Sequence, residues 1–247
     1  PTMPATPAAN VAALLRRTAR TWPRARALAH GEGACIDYAT LARRVARLAA
    51  SLRRTLAPGE RVALVSRNDP AYVEALFACW WAGLVAVPVN AKLHPKELAH
   101  VIGDSGARFA FVDAAWHAAL GGTVVGTGGP HDAVAFGSPA FAAMADGDDG
   151  LPLEPVAARD AAWLFYTSGT TGRPKGVVIT HGNLLAMTLA FLADVLPVSP
   201  GDAILHPAPL SHGSGLYVVP HVARGAVNVV PASGGFDPVE IAALTRA

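Results

Sequence analysis

The chain has 247 residues, 52% of them hydrophobic, enough apolar content for a large core arranged as one big domain or two modest ones. Its 20 Lys and Arg against 18 Asp and Glu leave a formal charge of +2, too weak a field to imply nucleic acid or a membrane surface. The longest uncharged apolar stretch, Ala75–Val89, falls short of the roughly 20 residues a spanning helix needs and is interrupted by Gly83 and Pro88, so no transmembrane segment is expected.

Residues 1–9, with three prolines and no periodicity, read as a loose tail. Asn10 is expected to cap a first helix through Val11, Leu14, Leu15 and Thr18. Ala27–His30 and Ala34–Tyr38 flank Gly31-Glu32-Gly33 as a hairpin. From Thr40 to about Leu56 the apolar stripe Leu41, Val45, Leu48, Leu52 and Leu56 predicts a long helix, with the arginines mostly off the stripe and solvated. Arg61–Ser66 reads as a strand, and Asn68-Asp69-Pro70 announces a helix with Asp69 as cap and Pro70 at its first position. That helix should end near Ala82 and be followed by a buried parallel strand from Leu84. His94, Pro95 and Glu97 open the next helix, and Arg108–Val112 is the next strand.

Strand and helix therefore alternate, the pattern of βαβ units. The expected fold class is α/β, a largely parallel, doubly wound sheet covered by helices on both faces. Gly121–Gly150 holds eight glycines and an acidic group between Asp146 and Asp149, and reads as an exposed excursion with one short helix around Phe141–Ala145. The acids lack an EF-hand pattern and are taken as a solvated turn. Cys35 and Cys79, without Cys-x-x-Cys spacing, are expected as two buried free thiols in a reducing compartment. No apolar core precedes the arginines before Arg20, so no secretory signal is visible and a cytoplasmic protein is expected.

The most informative stretch is Tyr166–Gly176, Tyr-Thr-Ser-Gly-Thr-Thr-Gly-Arg-Pro-Lys-Gly, between the apolar runs Ala161–Phe165 and Val177–Thr180. Gly169, Gly172 and Gly176 allow the backbone to approach a ligand closely, and Thr167, Ser168, Thr170 and Thr171 supply hydroxyl donors. Lys175 adds a positive charge, and only Lys92 and Lys96 share its residue type against seventeen arginines, so it is not merely this chain's habitual cation. The set suits a polyphosphate. Because the order is strand, loop, strand, and Pro174 and Gly176 bracket the lysine, a Walker A loop and a Gly-x-Gly-x-x-Gly dinucleotide fingerprint are both disfavoured.

Tyr166–Gly176 resembles the phosphate loop of the adenylate-forming (AMP-binding) enzymes: acyl- and aryl-CoA ligases, nonribosomal-peptide adenylation domains and firefly-type luciferases. Trp81–Asn90, Pro95–Leu98 and Asp104–Arg108 are similar to a second motif of the family, with Asn90 following the CoA-ligase pattern where peptide-synthetase domains more often carry aspartate. After a helix opened by His181-Gly182-Asn183 and a strand around Ala203–His206, Pro209-Leu210-Ser211-His212-Gly213-Ser214-Gly215-Leu216 resembles the segment that forms one wall of the acyl and adenylate pocket. Val222–Ala226 and Phe236–Pro238 extend the match.

The resemblance implies ATP, magnesium and coenzyme A as ligands, a small-molecule carboxylic acid as substrate, and an acyl-adenylate followed by a thioester as products. It implies that Ser168, Gly169, Thr170, Thr171, Gly172, Lys175 and Gly176 hold the nucleotide phosphates. Thr167 would hold phosphate and share the metal, while His212, Gly213, Ser214 and Gly215 shape the carboxylate end. Lys175 and His212 are the residues expected to take part in the reaction. The match covers the first half of such an enzyme, so the chain is expected to be an N-terminal part: a first unit over 10–200 carrying the phosphate loop, then 201–247 beginning a second. On that reading the isolated chain is inactive, and it self-associates through apolar surface around Val227–Val230, Ile241 and Leu244. Two alternatives stay open: an adenylating enzyme with a carrier-protein or other acceptor, and a non-catalytic nucleotide-binding module.

Overall fold

The computed structural model describes residues 9–126, 129–147, 149–167 and 174–246. In chain order the elements are α1 (Ala13–Thr21), β1 (Arg26–His30), β2 (Cys35–Asp37), α2 (Tyr38–Arg53), β3 (Arg61–Ser66), α3 (Pro70–Trp81), β4 (Val85–Asn90), α4 (Pro95–Ser105), β5 (Ala107–Val112) and α5 (Ala114–Ala119). They continue with β6 (Thr123–Gly126), β7 (Gly129–Ala135), α6 (Pro139–Ala145), β8 (Ala161–Thr167), β9 (Lys175–Thr180), α7 (His181–Ala190), β10 (Ala203–Leu205), α8 (Gly213–Arg224), β11 (Val227–Val230) and α9 (Pro238–Leu244). A π-helical turn, Phe191–Val195, prolongs α7.

Two sheets result. The larger has the order β6-β7-β5-β3-β4-β8-β9, in which β7 through β8 run parallel and each edge strand is antiparallel to its neighbour. The two faces follow from the two-residue period of a strand. Val62 and Leu64 of β3 point into the core shared with α2, α3 and α8, whereas Ala63 and Val65 point into a second core under Leu98, Val101 and Ile102 of α4. Helix α3 is apolar almost all round and buried from Tyr72 to Trp81, as befits an element packed against α2, β1, β3 and β4 at once.

The smaller sheet, β10-β11-β1-β2, crosses the boundary expected at residue 200. Strand β1 lies parallel to β11 with Leu28 opposite Asn228, so the first hairpin and the last strands share one sheet. A strand takes its neighbours from wherever main-chain partners are presented, and chain order does not reveal them.

Other expectations are corrected locally. Asn10 lies ahead of α1 and does not cap it: its side chain accepts from Ala12 N at 2.9 Å and donates to the carbonyls of Trp80 (2.7 Å) and Glu154 (2.9 Å). Ala9, expected in a loose tail, is tied down by its N–H bond to Val156 O, and the other expected tail residues, 1–8, lie outside the described residues. Helix α2 starts earlier than expected because Asp37 caps it through Thr40 N at 2.8 Å.

The glycine-rich 121–150 segment is no excursion. Its strand β7 extends the large sheet beside β5, and Phe136 and Phe141 stack around Phe111 in the core. Asp146 stays exposed, as a solvated turn requires, and pairs with Arg44, which also forks onto buried Glu74. Cys79 is buried as expected, but Cys35 is exposed on the short strand β2.

Candidate functional site

Strands β8 and β9 form the stem of the candidate phosphate loop. Their antiparallel register sets Thr167 opposite Lys175, Tyr166 opposite Gly176 and Phe165 opposite Val177. Ser168, Gly169, Thr170, Thr171 and Gly172 lie outside the described residues. Residues directly opposite across an antiparallel pair share a face, and so do residues two apart on one strand. Phe165, Thr167 and Lys175 therefore share one face; Leu164, Tyr166 and Gly176 share the other. Thr167 and Lys175 are both exposed. Behind them, the Tyr166 ring fills the space that a side chain on Gly176 would need: a Cβ there would lie 3.1 Å from the ring. The Tyr166 hydroxyl donates to Asp104 Oδ2 at 2.6 Å, and burial together with that carboxylate pushes its pKa up.

The second candidate loop runs from the end of β10 into α8. It is fixed by a residue that sequence reading assigned only to a helix start. Asn68 donates to the carbonyls of His206 (2.8 Å) and Ala208 (2.7 Å) and accepts from Leu210 N (2.8 Å), gripping the loop at three points. Asp69 supplies the cap of α3 through Ala71 N, which leaves the Asn68 amide free for this task.

His206 is fully buried. Its Nδ1 lies 2.8 Å from Ser214 Oγ and its Nε2 lies 3.0 Å from Asn228 Oδ1. An amide oxygen can only accept, so Nε2 carries the proton and Nδ1 accepts from the serine hydroxyl. Burial holds the His206 pKa down at about 4, which keeps the ring neutral.

This arrangement divides the four residues predicted here. Ser214 is buried with its hydroxyl committed to His206. Gly215 is a packing position, since a Cβ there would sit 2.0 Å from the Leu210 carbonyl oxygen and 2.9 Å from the Trp163 ring. Gly213 is exposed and His212 is half-buried, with Nδ1 3.0 Å from Ser211 Oγ. The His212 ring meets the Phe165 ring edge-on, centroids 5.6 Å apart at 84°. That contact joins the two candidate loops. The signal for Asn68, His206 and Asn228 was only that polar residues sit next to apolar strands, which does not reveal what they bond.

A cleft of about 370 Å³ adjoins this loop, lined by Ser66 and Asn90 at the ends of β3 and β4, by Arg67 and Lys92, and by Pro207–Pro209, Ser211 and Gly234–Phe236. Thr167 likewise ends a parallel strand, so cleft and phosphate stem share the carboxyl edge of the sheet, where open α/β sheets place their ligands. Among the described residues no group of three or more His, Cys, Asp or Glu could hold a metal ion, and no helix is long and apolar enough to cross a membrane.

Comparison with known proteins gives these features their context. A sequence profile described as AMP-binding enzyme matches residues 15–246. The chain belongs to the AMP-binding enzyme family. Within that family it is 39% identical over 231 residues to feruloyl-CoA synthase of an Amycolatopsis species, covering 90% of this chain and 43% of the relative. It is 37% identical over 201 residues to the fatty acid–[acyl-carrier-protein] ligase ScoC of Streptomyces coeruleorubidus, covering 75% and 36%. The solved fatty acyl CoA synthetase of Mycobacterium tuberculosis superposes with a TM-score of 0.84 at 25% identity, over 96% of this AMP-binding chain and 47% of that one. The chain thus spans less than half the length of these relatives, and its fold is that of the acyl-CoA synthetases.

Proposed function

We propose that the protein carrying this chain is an AMP-forming acid–thiol ligase. A carboxylate oxygen attacks the α-phosphorus of ATP and the bond to the bridging oxygen breaks, giving acyl-adenylate and pyrophosphate. A thiol then attacks the acyl carbon, AMP departs with the bonding pair, and a thioester remains. No electron donor or acceptor is needed.

The observation that carries this reading is the shared face of the β8–β9 stem, on which Thr167, Lys175 and, through Phe165, His212 stand together. Negative charge grows on the leaving pyrophosphate, and a preorganised cation and donors stabilise it without solvent reorganisation. Lys175 and the hydroxyl-glycine segment after Thr167 suit that role. His212 and the exposed Gly213 suit the carboxylate end, with the adjoining cleft giving room for the rest of a substrate. A magnesium ion brought by ATP would need only one or two protein oxygens. The exposed Thr167 hydroxyl at the strand end fits as one of them; the ion, when bound, draws charge from the phosphate oxygens.

The relatives favour an aromatic acid with coenzyme A as acceptor, and a second reading, a fatty acid passed to a carrier protein, is favoured by the other. Carboxylate-dependent exchange of labelled pyrophosphate into ATP by the full-length protein, with ferulate and with fatty acids, tests the first step. Thioester formation with coenzyme A or with acyl carrier protein then separates the two readings. ATP binding without exchange for any acid of the panel would instead support a non-catalytic nucleotide-binding module.

A further inference from the structure

The phosphate stem is held from behind by α4. His100 and Asp104 lie four residues apart, one above the other on a single helix face. Asp104 Oδ2 accepts from the Tyr166 hydroxyl at 2.6 Å, and His100 Nε2 lies 3.3 Å from the Pro174 carbonyl oxygen, to which it can donate. Tyr166 immediately precedes Thr167, and Pro174 immediately precedes Lys175. One helix therefore touches both sides of the stem, each time at the residue before a predicted phosphate ligand. The Tyr166 contact lies on the face opposite that ligand pair, and the ring is pinned there over Gly176.

Helix α4 is suited to serve as a fixed post. Leu98, Val101 and Ile102 anchor it in the core against β3, β4 and β5. A capping box between His94 and Glu97 closes its start, and Gly106 in the left-handed conformation closes its end.

We propose that Asp104 and His100 are positioning residues for the phosphate loop, setting the separation of the Thr167 hydroxyl and the Lys175 ammonium without touching substrate. The proposal rests on the ligase reading for its kinetic consequence but not for its structural one. Asp104 is exposed and makes one contact to the stem, so its removal should disturb the fold little and the loop more. Misplacement of a binding group lowers rate steeply, because the reacting geometry tolerates small errors only.

The test uses Asp104→Ala, Asp104→Asn, Tyr166→Phe, the Asp104→Ala/Tyr166→Phe double variant and His100→Ala in the full-length protein. In pyrophosphate exchange, Asp104→Ala and Tyr166→Phe should each lower kcat/KM for ATP roughly tenfold, and the double variant should be no worse than either alone. Asp104→Asn, whose amide oxygen still accepts, should keep most of the activity, and His100→Ala should show a smaller loss of the same kind. KM for the carboxylic acid and the thermal midpoint should stay near wild type. Additive losses, or equal damage to acid and ATP parameters, would overturn the assignment.

A second measurement needs no activity. Amide hydrogen exchange of peptides spanning residues 167–176 in the 247-residue chain should quicken in Asp104→Ala and not in Asp104→Asn. If those peptides respond while wild type shows no acid-dependent exchange, the ligase reading fails and the positioning role stands. Unchanged amide exchange overturns the positioning role whatever the enzyme does.

Discussion

Lys175 shows how a single residue can be read from sequence. It is one of three lysines, it closes a hydroxyl-glycine loop, and the structure leaves it exposed at the strand end opposite Thr167. An ammonium beside the leaving phosphates gains most as their charge rises, so Lys175→Ala in the full-length protein should slow adenylate formation on the order of 10²-fold, with less effect on acid binding. Lys175→Arg should recover part of the loss, because the planar guanidinium is larger and directs its donors differently. Single-turnover adenylation of the three proteins measures this; an alanine variant within a few-fold of wild type would remove Lys175 from the pyrophosphate site. Asn68 is the opposite case. Its sequence context announced a helix start, and that start exists, but the cap belongs to Asp69 while Asn68 grips the 206–210 loop.

At the scale of elements, the approach of α8 to β8 decides the shape of the loop that carries His212. Gly215 lets the first turn of α8 press on the Leu210 carbonyl and on Trp163. A methyl at 2.0 Å from backbone has nowhere to go, so Gly215→Ala should destabilise the protein by about 3 kcal/mol. Because the displaced turn carries His212, the variant should also raise KM for the acid more than KM for ATP. Thermal unfolding and the two KM values check this; a midpoint within a degree of wild type would show that the loop yields easily. In the 121–150 segment the short helix was legible at this same scale and the strand was not. Its strand β7 opens on a glycine and a proline, residues that ordinarily mark loops, yet β5 offers it a parallel partner.

For the molecule as a whole, two properties follow from what is buried and what is not. His206 and His181 are both fully buried with pKa values held at about 4, in each case chiefly by burial. An unfolded histidine binds a proton near 6.5, so below that pH the unfolded state holds more protons than the native one and stability falls with pH. The loss should run from about pH 6.5 down to about 4 and reach roughly 3 kcal/mol for each histidine. Thermal midpoints at pH 7 and pH 5 should differ, and the difference should shrink in His206→Gln and His181→Asn; equal slopes in all three proteins would assign the pH dependence elsewhere.

Apolar exposure differs from the sequence expectation. Val227 and Val230 of β11 are buried, because β10 and β1 flank that strand. The exposed large apolar groups among the described residues include Val177 and Val178 on the edge strand β9, Leu189, Val195 and Leu196 on and just after the helix that follows, and Tyr217, Phe236 and Val239. An open edge bearing valines invites strand pairing, so the 247-residue chain should associate with rising concentration and Val178→Lys should reduce it. Sedimentation velocity across a wide concentration range tests this, and a monomer throughout would count against it.

The sequence by itself determined the α/β class, most strands and helices of the first half, and the two strands that flank the candidate phosphate loop. These rest on local properties: apolar period, caps such as Asp69-Pro70 and His94-Pro95, and a run of glycines, hydroxyls and one lysine within eleven residues. Tertiary structure alone decided that β1 pairs with β11, that Asn68 and His206 hold the loop between β10 and α8, and that α4 stands behind the β8–β9 stem. Those relations join residues from 22 to 200 positions apart. Hydrogen bonds and close contacts between them depend on how the layers stack, and no local pattern records that.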